Sequence, residues 1–191
     1  MERHDLESAA VRSTYLRGLL AVPAGLVFIV VGLGNLGWGP LSSALVFLGC
    51  LALMAGAWLV INRYYAEHYG RVRLADGQQV RLTIASFLCL GVPMIGGTIL
   101  DLRLDLPVSL FAILFGVGML AWYRLCVGLR TDHVLVFGAL IVVGLLPLWG
   151  GLEDRASAGW LPIGVATIIV GILDHRALAR AFGGASDRVG V

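Results

Sequence analysis

Six long apolar stretches dominate this chain: residues 18–36, 41–62, 82–100, 108–129, 134–151 and 158–173. Each approaches the roughly 20 residues a helix needs to cross a hydrocarbon core about 30 Å thick. Backbone N–H and C=O groups cannot go unpaired in lipid, so only helices or a closed barrel can span it. A barrel needs alternating apolar and polar residues, and these stretches do not alternate. The expected fold is therefore all-α: a polytopic integral membrane bundle of six transmembrane helices. Composition agrees. The chain is 59% hydrophobic and 14% charged, against about 45–50% and 25% in soluble domains, which excludes an ordinary soluble enzyme. The organisation reads as an N-terminal segment (1–17), a transmembrane domain (18–176) containing one sizeable loop (63–81), and a tail (177–191). Glu2, Asp5 and Glu7 precede the first stretch, which argues against a cleaved signal peptide with its simple basic start.

Arginine sets the expected orientation, since cytoplasmic loops carry the excess of Lys and Arg. Arg3, Arg12 and Arg17 lie before the first span; Arg63, Arg71, Arg73 and Arg81 are in the second loop; Arg124 and Arg130 are at the fourth; Arg176, Arg180 and Arg188 are at the end. The opposite side holds only Arg103 and Arg155. Both termini are thus expected in the cytoplasm of a cell whose inner, or plasma, membrane holds the protein. Trp38, Trp149 and Trp160 at one end, and Tyr15, Trp58, Tyr64, Tyr65, Tyr69, Trp122 and Tyr123 at the other, read as interfacial anchors.

Pro40, Pro107 and Pro162 each follow an outer loop, where proline suits a first helical turn. Each is followed nine residues later by glycine: Gly49, Gly116 and Gly171. Pro93 and Pro147 precede Gly96–Gly97 and Gly150–Gly151, then acid–arginine pairs at Asp101/Arg103 and Asp154/Arg155. This pattern predicts three parallel-repeat α-hairpins. Gly49, Gly116 and Gly171 are expected at a shared helix-packing interface. Pro93 and Pro147 are expected to kink spans three and five, because each removes a backbone hydrogen bond.

Chemistry-bearing residues are few. No phosphate loop, HExxH or GxSxG motif is present, so neither a catalytic residue nor a cofactor is indicated. A net charge of +2 offers no basis for nucleic-acid binding. Cys50, Cys89 and Cys126 lie singly within apolar stretches and read as buried small residues. Three histidines follow an acid directly, at Glu67–His68, Asp132–His133 and Asp174–His175. If the hairpins converge, His68, His133, Asp174 and His175 are the candidate metal or proton-sensing group. In the second loop, Arg71, Arg73 and Arg81 suit contact with anionic lipid or a partner. The Asp76–Gly77 step between two alternating runs allows a small β-hairpin.

No ionisable group falls near the centre of any span, which disfavours an ion-coupled carrier. The sequence therefore points to a non-enzymatic bacterial inner-membrane protein, acting as an accessory, sensor or scaffold subunit through helix packing and its cytoplasmic rim. The expected contacts are membrane lipids and either a membrane-protein partner or further copies of itself. The alternative is a small transporter or channel for a weakly polar, uncoupled solute.

Overall fold

The computed structural model describes residues 17–68, 76–147, 149 and 155–186. Among these the chain is all-helical. A 3₁₀ turn, Gly18–Leu20, leads into α1 (Ala21–Asn35), and a second, Gly39–Ser42, leads into α2 (Ala44–His68). Helix α3 is built of Asp76–Ser86, a π turn at Phe87–Gly91 and Val92–Arg103. Helix α4 (Leu110–Trp122) ends in a π turn, Tyr123–Val127; α5 is Thr131–Leu145 and α6 is Arg155–Ser186. Five of the six are long and apolar enough to cross a membrane; α5 is the shorter exception.

The most extensively packed pair joins the first and last of the described helices. Helices α1 and α6 run antiparallel and mesh through small residues seven apart. A Cβ on Gly18 would strike the backbone of Gly171, one on Gly25 the backbone of Gly164, and one on Gly32 would press on the Ser157 carbonyl and Trp160. Seven residues are close to two helical turns, so each set lies along one stripe. Without side chains between them the backbones approach closely and gain dispersion contacts, the main driving force for helix association in lipid. Gly18, Gly25 and Gly32 were not singled out from the sequence, although their spacing was open to view.

The remaining core lies between α4, α5 and α6. Phe111, Ala112, Phe115, Phe137, Leu140, Ile163, Ala166 and Val170 are buried together. Trp160 packs its ring against Phe111 at 4.7 Å and Phe28 at 5.2 Å between centroids. Helix α2 instead sits at the edge, packed mainly on α1.

Several expectations need correction. The stretch from Asp76 is the first part of α3, not the second strand of a hairpin. Gln79, Val80, Arg81 and Leu82 continue directly into an apolar helix, and extending a formed helix costs far less than nucleating a separate element. Pro147 lies beyond the last residue of α5, Leu145, and so follows the helix rather than kinking it. Leu146 is extended (φ −63°, ψ 136°), as the residue before a proline prefers. Pro162 does not open α6 but lies inside it. Tyr65, Tyr123 and Trp149 are buried, and so they pack within the fold rather than lie at a lipid surface; Trp38 is exposed. The segment 1–16, Tyr69, Arg71, Arg73, Gly150–Gly151, Asp154 and the last five residues lie outside the described residues.

Pro93 stands just past the π turn of α3. It has no N–H to offer the Cys89 carbonyl four residues back. A Cβ on Gly118 would land on that same carbonyl oxygen, so glycine is what lets α4 close against the bulge.

At the end of the bundle where α3 meets α4, Asp101 caps the next helix. Its Oδ1 accepts the Leu110 N–H at 2.7 Å, and its Oδ2 accepts the Phe111 N–H at 3.1 Å and the Ser109 hydroxyl at 3.0 Å. Ser109 in turn accepts the Ala112 N–H at 3.3 Å. The carboxylate thus satisfies first-turn donors that have no partner inside α4. Asp101→Ala should lower stability by about 2 kcal/mol, the upper end for loss of a helix cap. Denaturation in mixed micelles, followed by circular dichroism, reads this directly. A loss no larger than that of an exposed Asp105→Ala change would contradict the capping role.

Candidate functional site

The opposite end of the bundle carries a buried ionic cluster. Its centre is Asp174 on α6, only 2% exposed. Asp174 Oδ1 accepts from Arg130 Nη1 at 3.0 Å and lies 2.9 Å from His133 Nε2; Oδ2 accepts the Tyr123 hydroxyl at 2.7 Å. Arg130 also donates to Asp132 Oδ2 at 2.9 Å. The three partners of Asp174 arrive from the π turn after α4, from the residue preceding α5 and from the first turn of α5. Gly128, with φ +102°, makes the turn between those elements, in a region where glycine alone is unstrained.

The hydrogen bonds define the histidine tautomer. The Arg130 backbone N–H donates to His133 Nδ1 at 3.3 Å, so that nitrogen is the acceptor. The ring proton therefore sits on Nε2 and points at Asp174. His133 is fully buried, and its ring lies 3.8 Å from that of Tyr123, tilted by 32°. The site is thus built around a carboxylate with an arginine, an imidazole N–H and a phenol as donors.

Next along α6, His175 makes a separate contact. Its Nδ1 lies 2.9 Å from the Tyr65 hydroxyl, which accepts the Leu19 N–H at 3.1 Å. Two consecutive residues of α6 thus face two halves of the bundle. Asp174 ties it to α4 and α5, and His175 ties it to α2, whose Tyr65 also holds the turn before α1.

Of the candidate metal group, His133 and Asp174 meet directly, and His175 adjoins them in sequence with its own partner. His68 does not join. It stays exposed on α2, its Nδ1 3.0 Å from the Tyr64 carbonyl of its own helix. Among the described residues no three His, Cys, Asp or Glu side chains come together to hold a metal. His68 is the last residue of α2, one turn beyond Tyr65, and its ring packs on that of Tyr64 at 4.3 Å between centroids. Tyr123 and Arg130 complete the cluster; the sequence alone presents them as an interfacial anchor and a loop charge. Arg130 stands three residues before His133, the spacing of a helix-start pair, and that was the one local signal available.

The three repeat glycines occupy three different settings. A Cβ on Gly116 would press on Ile141 and the Phe137 carbonyl of α5; one on Gly171 would meet Gly18 and Ala21 of α1; one on Gly49 would meet nothing within 4 Å. They do not share an interface within the chain. Arg81 is exposed near the start of α3. At the other end, Arg155 donates to the carbonyls of Leu106 and Leu104 and pairs with Asp105, fastening the start of α6 to the α3–α4 loop.

Comparison of the chain with protein-family models, with curated proteins and with solved structures finds no match.

Proposed function

We propose that this protein is a non-enzymatic accessory or scaffold subunit of a bacterial inner membrane, with both termini in the cytoplasm, that engages a membrane-protein partner through α2. The observation that carries this reading is the contrast between the two glycine-bearing helix faces. On α1 and α6 the glycines are covered by each other. On α2, Gly49 and Gly56 have the same seven-residue spacing, yet a Cβ on either meets nothing within 4 Å. Around them Leu45, Leu48, Leu53, Leu59 and Val60 are exposed. Hydrophobicity alone does not drive helices together in lipid, whereas a small-residue stripe permits close packing. The ionic cluster supports a rigid body behind this face, because its buried charges are paired inside the chain.

The test is purification from the native host in mild detergent. The expected result is a transporter or signalling subunit at fixed ratio, lost in Gly49→Ile/Gly56→Ile without a change in folding. A clean homo-oligomer that conducts solute flux in liposomes would overturn the reading and favour a transporter or channel.

A further inference from the structure

A second surface lies apart from α2, between α5 and α6. Leu135, Ala139 and Val143 on one helix, and Pro162, Ala166 and Ile169 on the other, line a groove of about 500 Å³. That is within the range of sites that take a small ligand, roughly 300–1,000 Å³. Pro162 is one of the residues lining it. The proline lies inside α6, where its ring crowds the carbonyl four residues earlier and bends a helix. Ala139 is exposed and leaves space on the α5 side, while Ala166, almost wholly buried, forms the floor. From Leu135 to Val143 the groove follows α5 for about 12 Å, at 1.5 Å per residue.

Its charged end is equally defined. Continuing along α6 from Ile169, the same face reaches Arg176 and then Arg180, both within about 40° of Pro162 around the axis at 3.6 residues per turn. Both arginines are exposed. Neither forms an ion pair with a carboxylate among the described residues. Asp132, the acid at this end of α5, is held mainly by Arg130 at 2.9 Å, with Arg180 a weaker charge neighbour whose Nε donates to the Arg176 carbonyl at 3.3 Å. The two arginines stand about 10 and 16 Å beyond Ile169, the last lining residue on α6, at 1.5 Å per residue; an apolar slot continued along one helix face by two arginines is complementary to a molecule with a hydrocarbon tail and an anionic head.

We propose that the α5–α6 groove binds one anionic glycerophospholipid, with an acyl chain along Ala139 and Ala166 and its phosphate against Arg176 and Arg180. An acyl chain is no better off in the slot than in bulk lipid except for tighter packing. Selectivity must therefore come from the head group. Two arginines at about 1 kcal/mol each amount to more than a ten-fold preference for anionic lipid. This site is independent of any partner on α2.

The experiment is native mass spectrometry of delipidated full-length protein titrated with phosphatidylglycerol or with phosphatidylcholine of the same chains. The expected result is a single bound phosphatidylglycerol at roughly a tenth, or less, of the phosphatidylcholine concentration. Arg176→Gln/Arg180→Gln should bring the two lipids together. Ala139→Phe, which fills the groove from its open side, should remove the one-to-one complex for both, while Ala52→Phe on α2 leaves it intact. Equal binding of the two lipids to the unaltered protein, or unaltered binding by Ala139→Phe, would overturn the proposal. So would a protein dimer lost in Ala139→Phe, which would assign the groove to a second copy. Circular dichroism of each variant separates loss of binding from loss of fold.

Discussion

Asp174→Ala should destabilise the bundle by about 3 kcal/mol, the lower end of the cost of breaking a buried ion pair. The lower end applies because Arg130 keeps 30% of its side chain exposed and retains Asp132. The loss has three parts: an arginine without its inner carboxylate, a buried imidazole N–H without an acceptor, and a buried phenol without one. Each unsatisfied buried donor costs about 1–3 kcal/mol, offset where water can enter. The measurement is reversible denaturation in mixed micelles. Glu67→Ala, which removes an exposed pair with Arg63 at 2.7 Å, is the control and should change stability by no more than about 0.5 kcal/mol. Arg130→Leu/Asp174→Leu should recover part of the loss, because an apolar pair leaves no buried charge behind. If Asp174→Ala and Glu67→Ala behaved alike, the cluster would have no structural role.

Gly25→Leu is expected to have a comparable effect by a different route. Its side chain would be driven into the Gly164 backbone and Ile168, and overpacking of this kind costs about 1–3 kcal/mol. Here the obstacle is backbone on a facing helix, which cannot rotate aside, so the upper part of that range applies. Gly56→Leu on the uncovered face of α2 should stay within about 0.5 kcal/mol of the parent protein, as surface substitutions do. The pair of variants separates the packing of α1 on α6 from any general effect of adding a leucine to a membrane helix. Equal losses in both would mean that the seven-residue stripe is not what holds the chain ends together.

Particular residues show where local reading ends. Asp101 was visible as an acid closing the third apolar stretch, but its task of capping α4 depends on a turn that brings Ser109 and Leu110 back to it. Asp132–His133 and Asp174–His175 were visible as acid–histidine steps. Their pairing across the bundle, with His133 on Asp174 and His175 on Tyr65, was not visible. Adjacent residues on a helix point about 100° apart, so which neighbour of a pair faces inward depends on what surrounds the helix. The glycines give the same lesson in reverse. Gly49, Gly116 and Gly171 share a spacing from proline, yet only two are covered, because coverage depends on which helices lie in the middle.

What the chain determines by itself is the all-helical, lipid-adapted character of the protein. Long apolar runs leave the backbone no partners except its own, so helices follow from composition and order alone. The tertiary structure alone decided that the first and last helices meet along Gly18, Gly25 and Gly32, that α2 stays at the edge, and that Asp174 is enclosed by Tyr123, Arg130 and His133. Those outcomes rest on close backbone approach and on burial of charge among partners far apart in the chain, and neither is encoded in the neighbourhood of any single residue.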